Sequence, residues 1–231
     1  MLARRLGAEF VGTALLLIAV VGSGIAAQRL SPNDVGLELI ENSIATGAAL
    51  AAIILAVGPV SGAHLNPAVS LADRLLGGLT WRETGAYCVA QVAGGAVGTV
   101  IANLMFSLAP VTISTKMRSG PGLWLAEVVA TFGLLLVIFG VVRSGRSGLA
   151  PFAVGAYIAS AYWFTASTSF ANPAVTLART LTDTFAGIAP ASVIPFIAAQ
   201  LVGALAATAL ARWLYPTIAD VAEDLVIRRS A

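Results

Sequence analysis

The tripeptide Asn-Pro-Ala occurs twice, at 66–68 and 172–174, each time among apolar stretches of membrane-crossing length. The likeness extends beyond it. Residues 62–72 (Gly-Ala-His-Leu-Asn-Pro-Ala-Val-Ser-Leu-Ala) parallel residues 168–178 (Thr-Ser-Phe-Ala-Asn-Pro-Ala-Val-Thr-Leu-Ala). Asn is a favoured helix N-cap and Pro a favoured first helical residue, while Ala starts the helix without bulk. A helix-start signal repeated at membrane depth predicts two half-helices placed head to head. Each such end presents unpaired N–H groups and about half a positive charge. Asn66 and Asn172 would turn their amides toward a passing solute, with carbonyls offered by residues 61–65 and 169–171. That arrangement builds a pore.

Composition sets the surrounding solvent. Of 231 residues, 58% are hydrophobic and 10% charged, against about 25% charged in a soluble domain. A spanning helix needs about 20 mostly apolar residues. Six stretches qualify, roughly 6–28, 36–58, 83–107, 122–142, 149–167 and 190–214. The first is expected to be a retained span, because its apolar run is long and no clear cleavage site ends it. Segments 59–65 and 168–171 are too short and irregular to span. Irregular backbone at membrane depth survives only against protein or a water-filled cavity, so each is expected to be a re-entrant loop. The fold class is therefore an all-α membrane protein with six transmembrane helices and two re-entrant half-helices.

Two halves are visible within one channel domain (1–231), namely 1–110 and 121–231, joined by a connector with Pro110 and Pro121. Ala8-Glu9-Phe10 is echoed by Ala126-Glu127-Val128, and Ala90-Gln91 with Gly94 by Ala199-Gln200 with Gly203. Three spans per half would set the halves in opposite orientations, an inverted repeat. The small residues Gly94, Gly95, Gly98, Gly203, Ala204 and Ala207 read as helix–helix contacts. Arg4, Arg5, Arg74, Arg82, Arg143, Arg146, Arg228 and Arg229 fall on one side, which the positive-inside rule makes cytoplasmic, with both termini inside.

Several functions are excluded or weakened. A net charge of +2 without a basic run gives no nucleic-acid partner. The single Cys88 allows no intrachain disulfide and no cysteine cage, and it reads as core. One His and one Cys in separate segments supply no nucleophile–base pair, so neither an enzyme nor a cofactor is expected. Glu9 and Glu127 are the only carboxylates deep in apolar spans. They could couple transport to protons, as in a secondary transporter with broken helices. His64 is either a pH switch or a neutral ring lining the inner pore. Lys116 and Arg118 read as a solvated loop. Two readings are open for the tail 217–231: a surface-lying amphipathic segment, or loose chain.

Taken together, Ser-Gly-Ala-His-Leu-Asn-Pro-Ala-Val at 61–69, the two glutamates, Asn-Pro-Ala at 172–174 and Pro195-Phe196 resemble the aquaporin/major intrinsic protein family over nearly the whole chain. The resemblance implies one pore per subunit, a homotetramer in membrane lipid, and passive flow of small neutral solutes. It implies that Glu9 and Glu127 bond the backbone N–H groups of the re-entrant loops. Gly62, Ala63, His64, Phe170 and Ala171 would line the passage. The family's filter positions, counted from the motifs, fall on Thr46, Ser160, Ser169 and Val175. The family usually has Arg where Val175 stands. Arg supplies five fixed donors and a permanent charge, and Val supplies neither. The filter should therefore be wider and less electropositive than in water-selective members. Val in that place resembles bacterial aquaglyceroporin-type channels associated with arsenic resistance. That resemblance implies glycerol-like polyols and metalloid hydroxides such as arsenous acid, with methylated arsenicals and some water. The alternatives are a water-selective aquaporin or an ordinary glycerol facilitator. Two placements are open for Arg179, one turn past Val175. It could restore charge to the outer vestibule, or it could sit at the surface or an interface, the default for an arginine.

Overall fold

The structure, a computed structural model, describes residues 1–215. The tail at 217–231, including Arg228 and Arg229, lies outside the described residues. Eight α-helices follow in order: α1 (Leu2–Leu30), α2 (Val35–Ser61), α3 (Pro67–Leu76), α4 (Trp81–Met105), α5 (Pro121–Arg143), α6 (Ala150–Phe164), α7 (Pro173–Ala178) and α8 (Val193–Leu214). Five of them, α1, α2, α4, α5 and α8, are long and apolar enough to cross a membrane. The sixth expected span, α6, has 15 residues and follows a 3-10 turn at Ser147–Leu149; at 1.5 Å per residue it measures roughly 22 Å. Large apolar side chains such as Val89, Leu125 and Ile194 remain exposed, which suits a lipid environment rather than water.

Local sequence explains the ends. Asp34 caps α2 by accepting from Leu37 N–H. Thr80 and Glu83 form a reciprocal capping box at α4. Pro121 and Pro173 stand in the first turns of α5 and α7. One boundary differs from expectation. Helix α2 continues through Pro59 to Ser61 and stops at Gly62, which adopts a left-handed φ of 87°. The irregular part of the first loop is thus only 62–65.

The halves correspond element by element, and they interlock. Helix α1 packs on α4 and α2, while α5 packs on α8 and α6. The half-helices cross over: α3 lies against α8 as well as α4, and α7 against α4 as well as α8. Close approach depends on glycine. A Cβ on Gly94 or Gly98 would collide with the carbonyls of Phe10 or Ala14, and one on Gly203 with the carbonyl of Val128. Gly47 of α2 and Gly155 of α6 face each other across the two halves; a Cβ on Gly47 would sit 2.7 Å from the Gly155 oxygen.

Charged side chains separate to two ends. Arg5 bonds Glu83 at 2.7 Å, and Arg74 stacks over Trp81. At the other end lie Arg29 over Phe106, and Lys116 and Arg118 on the 183–187 loop.

Candidate functional site

Each Asn-Pro-Ala segment begins a helix as its residues dictate. Asn66 and Asn172 have nearly identical extended backbones, φ −157° and ψ 119° or 114°. Their Oδ1 atoms cap their own helices, accepting from Ala68 N and from Ala174 N, both at 2.9 Å. Their amide nitrogens reach across. Asn66 Nδ2 donates to the Ala171 carbonyl at 2.8 Å, and Asn172 Nδ2 donates to the Leu65 carbonyl at 2.7 Å. The two helix starts therefore meet in the interior, joined by a reciprocal pair of hydrogen bonds.

The loops leading to them are strained in matching places. Ala63 and Leu65 have φ of 49° and 51°; Ser169 and Ala171 have 49° and 47°. Left-handed backbone at residues with a Cβ costs on the order of 1–3 kcal/mol each. The buried glutamates hold these loops. Glu9 accepts from His64 N (3.0 Å), Leu65 N (2.7 Å), Ser61 Oγ (2.6 Å) and Gln91 Nε2 (2.8 Å). Glu127 accepts from Phe170 N and Ala171 N, both at 2.9 Å, and from Gln200 Nε2 at 2.6 Å. Both carboxylates are fully buried, and neither borders the central cavity.

That cavity runs beside the crossed asparagines. Its wall includes both Asn side chains, Ala63, His64, Phe170 and Ala171. Farther along it includes Thr46, Ser169, Val175 and Arg179. The rest of the wall is largely aliphatic, with Leu50, Ile54, Leu134, Ile138 and Ile158 among its residues. His64 is placed by Ser70 (Nδ1 to Oγ 3.1 Å) and by the Tyr87 ring. One wall thus offers hydrogen-bonding groups and the other offers hydrocarbon.

Three sequence expectations need correction on placement. Ser160 is exposed and absent from the cavity wall; its Oγ donates back to Ala156 O. Helix α6 turns Val154, Ile158 and Tyr162 inward instead, and these recur at a spacing of four, which defines one helical face. Tyr162 Oη bonds Thr46 Oγ1 at 3.3 Å, so the tyrosine stands where a serine was expected. Gly62 is buried but only ends α2; the chain joins the cavity wall from Ala63 onward. The surface or interface placement of Arg179 also fails, since only 2% of it is exposed and it borders the cavity. Its Nε donates to Ala186 O, and its guanidinium lies 3.6 Å from the Phe170 ring centre.

Two head-to-head half-helices set among spanning helices, with a cavity at their junction, define a membrane channel rather than an enzyme. The chain belongs to the major intrinsic protein family, whose model matches residues 1–169 and again 150–228. It is 54% identical over 213 residues to "Aquaglyceroporin AqpS" of Rhizobium meliloti (strain 1021), covering 92% of this chain and 91% of that one. It is 32% identical over 240 residues to "Aquaporin AqpM" of Methanothermobacter marburgensis, covering 92% and 98%. The fold is similar to that of the solved aquaglyceroporin from Plasmodium falciparum, with TM-score 0.71 at 23% identity over 94% of this chain and 99% of that one.

Proposed function

We propose that the chain is a passive channel for small uncharged hydroxylated solutes: glycerol-like polyols, metalloid hydroxides such as arsenous acid, their methylated forms, and water to some degree. The observation that carries this reading is the crossed asparagine pair on the cavity wall. Each Oδ1 is committed to its own helix and each Nδ2 spends one proton on the opposite loop. An amide nitrogen has two protons, so one on each remains to meet a solute oxygen. The solute exchanges water for these donors and for the hydroxyls of Thr46 and Ser169, while the aliphatic wall keeps binding weak enough for release. The 54% identity to a protein named an aquaglyceroporin supports solutes larger than water.

Selection in this reading occurs around Thr46, Ser169, Val175 and Tyr162, with His64 on the inner side and Glu9 and Glu127 as loop supports. The carboxylates' bonds to fixed loop N–H groups favour that role over proton carriage. Residues 1–231 act as one channel domain of two repeats in the inner membrane of a bacterium, with both termini cytoplasmic, as a homotetramer.

The test is stopped-flow light scattering on proteoliposomes, comparing water, glycerol and arsenous acid in the native protein and in Val175→Arg. The native protein is expected to pass all three without saturation at low concentration. The variant should keep water and lose most glycerol flux. An unchanged solute profile in Val175→Arg removes Val175 from selection. Native flux that follows a proton gradient replaces the channel with a transporter.

A further inference from the structure

Two polar side chains at the cavity keep unused hydrogen-bonding capacity. Arginine has five N–H donors, and Arg179 commits one, Nε, to Ala186 O. Among the described residues no acceptor takes the others. The two acids on adjoining elements are engaged elsewhere: Asp183 by Thr115 N at 2.9 Å, and Glu127 by the loop amides. Ser169 Oγ, on a residue 3% exposed, has no hydrogen-bond partner at all. A buried polar group left unpaired is destabilising, and more so when charged. Both residues belong to the cavity wall.

The guanidinium is fixed rather than free to swing away. Its Cζ lies 3.6 Å from the Phe170 ring centre, Nε is tied to Ala186, and the Arg179 carbonyl accepts from Ile188 N at 3.3 Å. A second cation, Arg118, sits 5.0 Å from the same ring and is held by Gly187 O at 3.0 Å. Phe170 therefore lies within about 5 Å of two guanidiniums, and Arg179 is the one that lines the cavity. Arg179 is four residues past Val175, about 6 Å farther along a helical path.

We propose that Arg179 is the charge-selecting residue of this channel, set one turn outward of the uncharged Val175 stage. With Ser169 it forms a two-point site for neutral solutes carrying at least two oxygens. One solute oxygen accepts from the guanidinium, and a neighbouring hydroxyl donates to or accepts from Ser169 Oγ. The same fixed charge repels cations. Size selection and charge selection, which a single arginine beside Asn172 would combine, are thus divided between two levels. This rests on the channel reading above.

The experiment compares native protein with Arg179→Leu, Arg179→Gln, Arg179→Lys and the double variant Val175→Arg/Arg179→Leu in proteoliposomes. Glycerol and water permeability are read by light scattering, and sodium leak by a trapped indicator. In Arg179→Leu and Arg179→Gln the leak should rise on the order of a hundredfold, the factor one unit charge exerts at ~6 Å in a partly hydrated site. Their glycerol-to-water ratio should fall several-fold. Arg179→Lys should keep cations out, and the double variant should restore exclusion. Native leak and ratio in a folded Arg179→Leu overturn the proposal. If Arg179→Leu does not fold, Gln and Lys decide: equal leak in those two overturns it. Failure of the native protein to pass water, glycerol and arsenous acid alike sinks the channel reading itself, a result distinct from either.

Discussion

Replacing Glu127 by Gln tests what a buried carboxylate is for in this fold. Oε1 accepts from Phe170 N at 2.9 Å, and Oε2 accepts from Ala171 N at 2.9 Å and Gln200 Nε2 at 2.6 Å. A glutamine offers one oxygen and one NH2 group, so either orientation points a donor at a donor. Keeping the oxygen beside Ala171 and Gln200 preserves two bonds and orphans the Phe170 amide, at about 1–3 kcal/mol. The two surviving bonds lose their charge assistance, which roughly halves each. The sum is about 2–6 kcal/mol, and it falls on a loop whose Ser169 and Ala171 already sit at φ 49° and 47°. Equilibrium unfolding in mixed micelles should show that loss, and glycerol flux in proteoliposomes should drop because Phe170 and Ala171 shift at the cavity wall. Residual flux should ignore a proton gradient. Unchanged stability with unchanged flux would refute the argument; so would gradient-driven native flux abolished in Glu127→Gln, since the carboxylate would then be moving protons.

Two further outcomes follow from the geometry. With Cys88 replaced by Ser, Ser169→Cys should lose flux on treatment with a water-soluble thiol reagent while Ser160→Cys should not; block at Ser160 would contradict the orientation of α6. Lys116, beside Phe185, is pushed down to about 8 by burial and by the charges of Arg118 and Arg179. Its ordinary value is 10.5, so between about 8 and 10.5 the unfolded chain holds more protons and stability should rise with pH. Lys116→Gln should flatten that rise, measured as the unfolding midpoint against pH, and an unaltered slope would count against the shift.

The centre of the fold was legible because its residues signal locally. Asn66-Pro67 and Asn172-Pro173 announce helix starts whatever surrounds them, and their duplication announces the symmetry. Glu9 and Glu127 stand out because an acid in an apolar span needs a reason. The facing of α6 was not legible. Lipid and core are both apolar, so Phe152 outside and Val154 inside look alike, and no polar stripe reveals the inward face. Counting back from Asn172 therefore landed on Ser160, two residues beyond Tyr162. Arg179 was misjudged by default for a related reason: its partners, the Ala186 carbonyl and the Phe170 ring, lack the opposite charge that makes a buried arginine easy to foresee.

The reciprocal asparagine bonds have a bearing on biosynthesis. They join positions 105 and 107 residues apart, so the amide of Asn66 reaches the membrane long before its acceptor at Ala171 has been translated. The centre of the channel can close only after Ala171 and Asn172 have followed. Until then Asn66 and the Leu65 carbonyl must be served by water or by the insertion machinery. A ribosome stalled between the two halves would thus hold three spans around a centre whose polar groups lack their partners from the second half.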